Sequence, residues 1–366
     1  MTPPKLGMLH ATDLIRHGKL VEATAHIQQM LGAKAPVAAP DDAIEGSFVV
    51  LPEAKPRRAR SPLGATLRHI ARGGMPDATP RAAHPQGADA QFREMTYTGP
   101  QGRMDYMLYV PARPAQGPRP VVVMLHGCTQ SPQDFAAGTG MNTHAEAEGF
   151  LVIYPAQPVG ANMNKCWNWF RPSDQARDGG EPALIAEVIR AVLAAEDADP
   201  ARVYVAGLSA GGAAALIVAQ AYPDLIAAAG VHSGLAVGSA HDVGSAFSAM
   251  RSGADGVTLD QTVPTIIFHG TADTTVDVAN AKAIARQVHR GGVGRRTAAK
   301  VTPPDRRTAT RSVVAGPDGR TAHEVWLIDG AGHAWAGGSA AGSFTDPTGP
   351  DATGEMLRFF RQHRLP

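Results

Sequence analysis

Two cysteines, Cys128 and Cys166, are all that the 366 residues contain, too few for the disulfide framework that staples a small extracellular fold. Charge is almost balanced: 34 Lys and Arg stand against 33 Asp and Glu, a net +1. No overall field therefore points to nucleic acid or to an acidic polymer, and no nucleic-acid partner is expected. No apolar run is long enough to span a bilayer. There is no H-E-x-x-H, no C-x-x-C and no close pairing of acids of the kind a divalent ion needs, so neither a metal nor another cofactor is expected. Met1-Thr2-Pro3-Pro4-Lys5 opens the chain without an apolar segment or a small-residue cleavage site. A cytoplasmic location is expected, or a secreted one if a leader has been removed.

Hydrophobic residues make up 44% of the chain, enough for one large core or a core with an appendage. Three segments are expected. Residues 1–32 form an N-terminal helical segment: Leu14, Ile15, Ile27, Met30 and Leu31 share a face and Gly32 is a stop. Residues 33–90 are rich in Pro, Ala and Arg, with a basic cluster at Arg57, Arg58, Arg60, Arg68 and Arg72. They read as a disordered linker, the sharper reading being a contact surface for a polyanion or a polymer particle. From residue 91 to 366 the pattern is regular. Phe92–Thr98 and Met104–Val110 make a hairpin, and strands are expected at Val121–Leu125, Leu151–Tyr154, Val203–Ala206, Ile226–Val231, Thr265–Phe268 and Glu324–Ile328. Helices are expected between and after them, at about 141–148, 181–195, 210–222, 278–288 and 352–363. Strands alternating with helices imply a mostly parallel central sheet with helices on both faces, an α/β class.

Gly207-Leu208-Ser209-Ala210-Gly211 lies between the strand Val203–Ala206 and an Ala-rich helix. A strained turn there lifts the Ser209 hydroxyl off the sheet and aims a helix N-terminus at it. A serine hydroxyl needs a base, and the base needs an orienting acid. Asp273 ends the run Phe268-His269-Gly270-Thr271-Ala272-Asp273 and is the acid expected; its competitor Asp277 reads better as a helix cap. His333, in Gly332-His333-Ala334-Trp335 after the last strand, is the base expected, and the rivals His232 and His269 read as packed residues. Backbone N–H groups of Ala210 and Cys128, with Thr129 as the fallback, are expected to hold an oxyanion. Trp335 is read as a substrate neighbour, Trp167 and Trp169 as candidate walls of an acyl cleft, and Phe247 and Met250 as part of a cover.

Four motifs occur in order: Leu125-His126-Gly127-Cys128-Thr129-Gln130, Asn164-Lys165-Cys166-Trp167-Asn168-Trp169-Phe170, Gly207-Leu208-Ser209-Ala210-Gly211-Gly212 and Gly332-His333-Ala334-Trp335. With them the chain resembles the polyhydroxybutyrate depolymerase family of esterases. The resemblance implies an α/β-hydrolase fold for the catalytic domain and hydrolysis of polyester or other carboxylic esters through a triad that falls on Ser209, Asp273 and His333. Relatives of that family include feruloyl and acetylxylan esterases, an alternative reading on the same scaffold; a non-catalytic granule-associated protein is a further one. A Cys128–Cys166 bridge is what the resemblance implies, whereas a cytosolic location argues for two thiols. The chain stops at Arg364-Leu365-Pro366 after its last expected helix, and no C-terminal substrate-binding module is in view. Amorphous polymer, oligomers or small esters are therefore expected as substrates rather than crystalline polymer, with polymer-granule contact through the N-terminal region as a candidate partner interaction.

Overall fold

A computed structural model describes residues 90–289 and 296–366. The N-terminal helical segment expected over 1–32 and the linker expected over 33–90 lie outside the described residues, apart from Ala90. The described chain begins with a hairpin, β1 (Gln91–Gly99) and β2 (Gly102–Val110), followed by β3 (Arg119–Leu125), α1 (Pro132–Thr139), α2 (Met141–Glu148) and β4 (Leu151–Pro155). Next come α3 (Gly180–Ala195), β5 (Ala198–Leu208), α4 (Ala210–Ala221), β6 (Ala228–His232), α5 (Val243–Ser252), β7 (Thr265–Gly270) and α6 (Ala279–Val288). The last part holds β8 (Arg296–Val301), β9 (Ala309–Ala315), β10 (Thr321–Ile328), the short pair β11 (Trp335–Ala336) and β12 (Thr345–Asp346), and α7 (Ala352–Phe360).

Among the described residues ten strands form one sheet in the order β1-β2-β4-β3-β5-β6-β7-β10-β9-β8. Its six central strands, from β4 to β10, run parallel. Antiparallel strands close both sides: β1 and β2 at one, β9 and β8 at the other. The parallel strands are unbroken apolar runs because both of their faces are covered. In β3 the two-residue period sends Val121, Val123 and Leu125 into one core with Ile185 and Ile189 of α3 and Leu216 of α4. It sends Val122 and Met124 into the other, with Phe135 of α1, Met141 of α2, and Phe359 and Phe360 of α7. Among the described residues no helix is long and apolar enough to cross a membrane.

The last parallel strand is fixed by charge as well as by packing. Glu324 of β10 is buried, yet its carboxylate takes two N–H bonds from Arg311 at 2.9 Å each, one from Arg358 at 2.5 Å and one from Trp326 Nε1 at 2.6 Å. Burial alone would raise its pKa; the bonds from Arg311 and Arg358 outweigh it and hold the carboxyl below its ordinary range.

Phe247 and Met250, expected in a cover, lie in the helix α5. Asp242 caps it, accepting the Ser245 N–H at 2.7 Å while the Ser245 hydroxyl accepts the Asp242 N–H at 3.0 Å. Ala246 and Ala249 are buried, and Met250 packs against the core, so this helix is packed on the sheet's own core.

Candidate active site

The three residues expected to act together all follow parallel strands at their carboxyl ends, and those strands are near neighbours. Ser209 follows β5, Asp273 lies three residues past β7 and His333 five past β10, with β6 alone intervening between β5 and β7. The loop after β3, the other neighbour of β5, supplies the remaining wall. This is the crevice beyond the strand ends where open α/β sheets assemble sites.

Ser209 occupies a conformation few non-glycine residues adopt, φ 58° and ψ −120°. Two close approaches make that turn possible. A Cβ at Gly207 would overlap the carbonyls of Gly211 and Leu125, and one at Gly211 would overlap those of Leu125 and His126. Glycine at both places lets α4 start directly against the end of β3. Gly211→Ala sets a methyl against two backbone carbonyls that have no side chain to move aside. It is expected to cost about 2–4 kcal/mol and to displace the 126–130 loop, read as a fall in the urea midpoint together with lost turnover.

His333 Nδ1 donates to Asp273 Oδ2 at 2.7 Å, which leaves Nε2 with its lone pair. The other Asp273 oxygen accepts the Thr275 and Val276 N–H groups at 2.9 Å each. Burial would raise the pKa of this carboxyl; the charge and hydrogen bond of His333, with the Val276 N–H, reverse the sign and hold it below its ordinary value. Asp277 sits apart from this bond and accepts the Ala279 N–H at 2.9 Å, where α6 begins. The Ser209 hydroxyl makes no hydrogen bond among the described residues. Contacts of this kind are commonly long until substrate is bound.

His232 ties the serine turn to the histidine loop. Its carbonyl accepts the Ser209 N–H at 2.9 Å and its Nε2 accepts the Ala336 N–H at 3.0 Å. Burial pushes its pKa down to about 3, helped by the charge of His333. His269 is likewise lowered by burial, and its Nε2 donates to the Val276 carbonyl at 2.9 Å. Both rings are fully buried and stay neutral, so neither can serve as a base that must take up a proton near neutral pH. His333, with 11% of its side chain exposed, is the histidine that solvent and substrate can reach.

The expected oxyanion donors are the Ala210 and Cys128 N–H groups. Ala210 is the first residue of α4, so its N–H has no partner within the helix. Neither that group nor the Cys128 N–H has an acceptor among the described residues. A Cβ built on Gly127 would lie 3.7 Å from Ser209 Cβ, which puts the 126–130 loop directly beside the serine. The Thr129 N–H is committed to the Asn164 carbonyl at 2.7 Å, which removes it as the fallback donor.

The tryptophans need correction. Trp335 is 1% exposed and Trp167 0%, so neither has surface to offer a substrate, and Trp169 is also buried. Trp335 turns inward, donates to Thr353 Oγ1 at 2.9 Å and packs on Phe135 and His232; it anchors the loop that carries His333. Trp167 donates to the His126 carbonyl at 3.1 Å, under the 126–130 loop. Among the exposed large apolar side chains are Met163 and Phe344. Met163 precedes Asn164, whose carbonyl holds Thr129, and Phe344 follows Ser343, which bonds Gln130 and Asp134. Their neighbours in sequence carry no pattern that marks them for this place.

Other residues around the site went unread in the sequence. Gln130 accepts the Gly127 N–H at 2.9 Å and donates to Asp134 and Ser343. Glu181, at the start of α3, is half-buried against the Cys166–Asn168 segment, and desolvation pushes its carboxyl up to about 7 against the hydrogen bonds it accepts from Asn168 and Gln157. Cys128 and Cys166 are joined in a disulfide. The bridge spans a sequence separation of 38, so its reduction is expected to lower stability by roughly 3–4 kcal/mol. Unfolding in urea with and without a reductant measures this.

A largely parallel sheet with helices on both faces, a serine turn after a central strand, and an acid–histidine pair on later strand ends define an α/β-hydrolase. The structure resembles that of the acetyl xylan esterase from Aspergillus awamori, with a TM-score of 0.58 at 21% identity over 74% of this chain and 99% of that one. The family model for esterase PHB depolymerases matches residues 104–309, more than half of the chain, and the chain belongs to that family. It is 37% identical over 194 residues to poly(3-hydroxyalkanoate) depolymerase C of Paucimonas lemoignei, covering 49% of this chain and 46% of that protein. It is 34% identical over 172 residues to feruloyl esterase B of Thermothelomyces thermophilus, covering 46% and 58%. The chain thus spans about half the length of these curated relatives.

Proposed function

We propose that the protein is a serine esterase that hydrolyses carboxylic esters through an acyl-enzyme, with short-chain polyester of the poly(3-hydroxybutyrate) type or its oligomers as substrate. The observation that carries this reading is the His333–Asp273 hydrogen bond beside a strained serine turn. Ser209 Oγ attacks the ester carbonyl while His333 Nε2 takes its proton. Asp273 holds the imidazole in the tautomer that leaves Nε2 free and stabilises the imidazolium that forms. The Cys128 and Ala210 N–H groups receive the oxyanion. His333 then protonates the departing alcohol, and water attacks the acyl-enzyme by the same route in reverse.

Exposed Met163 and Phe344, each next in sequence to a residue bonded to the 126–130 loop, favour an apolar polyester chain over a hydroxyl-rich sugar. A feruloyl or acetylxylan ester is the second reading, supported by the similarity to feruloyl esterase B. Product analysis on amorphous poly(3-hydroxybutyrate), feruloylated oligosaccharide and acetylated xylan in parallel separates them. The expected result is release of soluble hydroxybutyrate monomer or oligomers from the first at the highest rate; faster release of ferulate or acetate would transfer the assignment.

The Cys128–Cys166 bridge supports an oxidising compartment, the secreted branch of the location expected from sequence. Docking on a polymer particle through residues 8–72 rests on the arginine cluster there. A chain lacking those residues is expected to sediment less with particles, and equal sedimentation would dismiss that contact.

A further inference from the structure

We propose that Glu181 is a positioning residue for catalysis: its half-buried carboxylate fixes the Asn164–Asn168 segment, and through it the Cys128 N–H that receives the oxyanion. The inference rests on the esterase reading above. One Glu181 oxygen accepts from Gln157 Nε2 at 2.5 Å and from Asn168 Nδ2 at 2.6 Å; the other accepts the Asn168 backbone N–H at 2.8 Å. Three donors converge on a half-buried carboxylate, an arrangement costly to assemble unless every bond is kept.

From there the contacts lead to the serine's neighbour by several routes. Gln157 Nε2 also donates to the Cys166 carbonyl at 2.9 Å, and the Gln157 backbone N–H donates to His126 Nε2 at 3.2 Å. His126 Nδ1 in turn donates to the Gly127 carbonyl at 2.8 Å, across the peptide that carries the Cys128 N–H. Trp167 Nε1 holds the His126 carbonyl, the Asn164 carbonyl holds Thr129, and Cys166 is bonded covalently to Cys128. The 126–129 loop is therefore laced to 164–167 at every residue but Gly127. Glu181 anchors the lacing strip from below by gripping Gln157 and Asn168. Asp174 faces the same place and accepts the Glu181 backbone N–H at 2.8 Å, so its negative charge disfavours ionisation of Glu181. Lys165 acts on His126 rather than on Glu181.

In acyl transfer a donor displaced by a fraction of an ångström loses its bond to the oxyanion while the ground-state ester is still bound. Glu181→Gln keeps shape and volume but turns an –NH2 towards one of three N–H donors. It is expected to lower kcat by about 10–100-fold, to leave KM within about threefold, and to weaken inhibition by butylboronic acid by the same factor as kcat. That boron adduct places an oxygen where the oxyanion forms, so its affinity reports on the hole and not on the amount of folded protein. Gln157→Leu is expected to do the same, and the double variant to be little worse than either single one, since both act through one strip.

Active-site titration corrects each rate for the folded fraction. A Glu181→Gln enzyme with kcat and boronate affinity within twofold of wild type overturns the proposal. If that variant does not fold, an unaltered Gln157→Leu enzyme overturns it. Failure of both to fold also does, by assigning the carboxylate to the fold alone. Ser209→Ala, assayed alongside, keeps the two readings apart. Wild-type turnover in that variant removes the esterase reading itself. An inactive Ser209→Ala with an unaltered Glu181→Gln removes only the role given to Glu181.

Discussion

Ser209→Ala is expected to lower kcat on a chromogenic butyrate ester by about 10⁴-fold or more, with no change in cooperative unfolding. Deleting one oxygen removes the only atom proposed to bond to the acyl carbon. The remaining groups, the Cys128 and Ala210 N–H donors, still bind and polarise the ester, so a residual rate above that of water is expected. Stability should hold. The serine conformation at φ 58° is a cost of the elbow that alanine shares, and the hydroxyl has no hydrogen bond among the described residues to lose. Steady-state kinetics with a urea unfolding curve reads both.

Asp273→Asn is the second large effect, and its cause is a proton on the wrong nitrogen. The Thr275 and Val276 N–H groups both point at Oδ1, so the amide oxygen must sit there and the amide –NH2 must face His333. An –NH2 needs an acceptor, which forces the imidazole to carry its proton on Nε2 and present a donor to the serine hydroxyl where an acceptor is required. The expected loss is about 10⁴-fold in kcat with little change in KM. Stability changes with a definite sign. The native carboxyl is held below its ordinary pKa, so its ionised form contributes stability above the unfolded-state pKa and loses it as pH falls through the lower native value. The stability gap between wild type and Asp273→Asn should therefore be widest near neutral pH and should narrow in acid. Unfolding curves at several pH values check this, and a gap that grows in acid would contradict it.

Where each residue lies in the chain carried most of what the sequence disclosed. The turn at Gly207–Gly211 could be placed because a β-branched run precedes it and an alanine-rich run follows, and Asp273 and His333 because each sits just past an apolar strand. Burial and side-chain direction were beyond that reasoning. Trp335 stands two residues from His333, yet the β11–β12 pairing turns it into the core against Phe135. The antiparallel extension was not legible either: in β8, Arg296–Val301 is exposed along almost its whole length, so no alternation of apolar and polar residues betrays a strand. Helix α1 is a single short stretch whose signals are its Ser131 cap and Pro132, and α5 is a helix formed by glycine-, serine- and alanine-rich sequence whose Asp242–Ser245 cap substitutes for propensity. Glu181 was invisible for a different reason: a glutamate at the start of an amphipathic helix reads as a favourable charge at a helix N-terminus, and only tertiary packing shows it bonded to Gln157 and Asn168.

The most direct test of the central claim is covalent capture of the nucleophile. The folded enzyme is treated with a fluorophosphonate, digested, and the modified peptide located by mass spectrometry. The account expects one adduct per chain, on Ser209, formed at a rate that collapses when His333 is changed to Ala. Labelling on another residue, or an active esterase that takes up no label at Ser209, would contradict it.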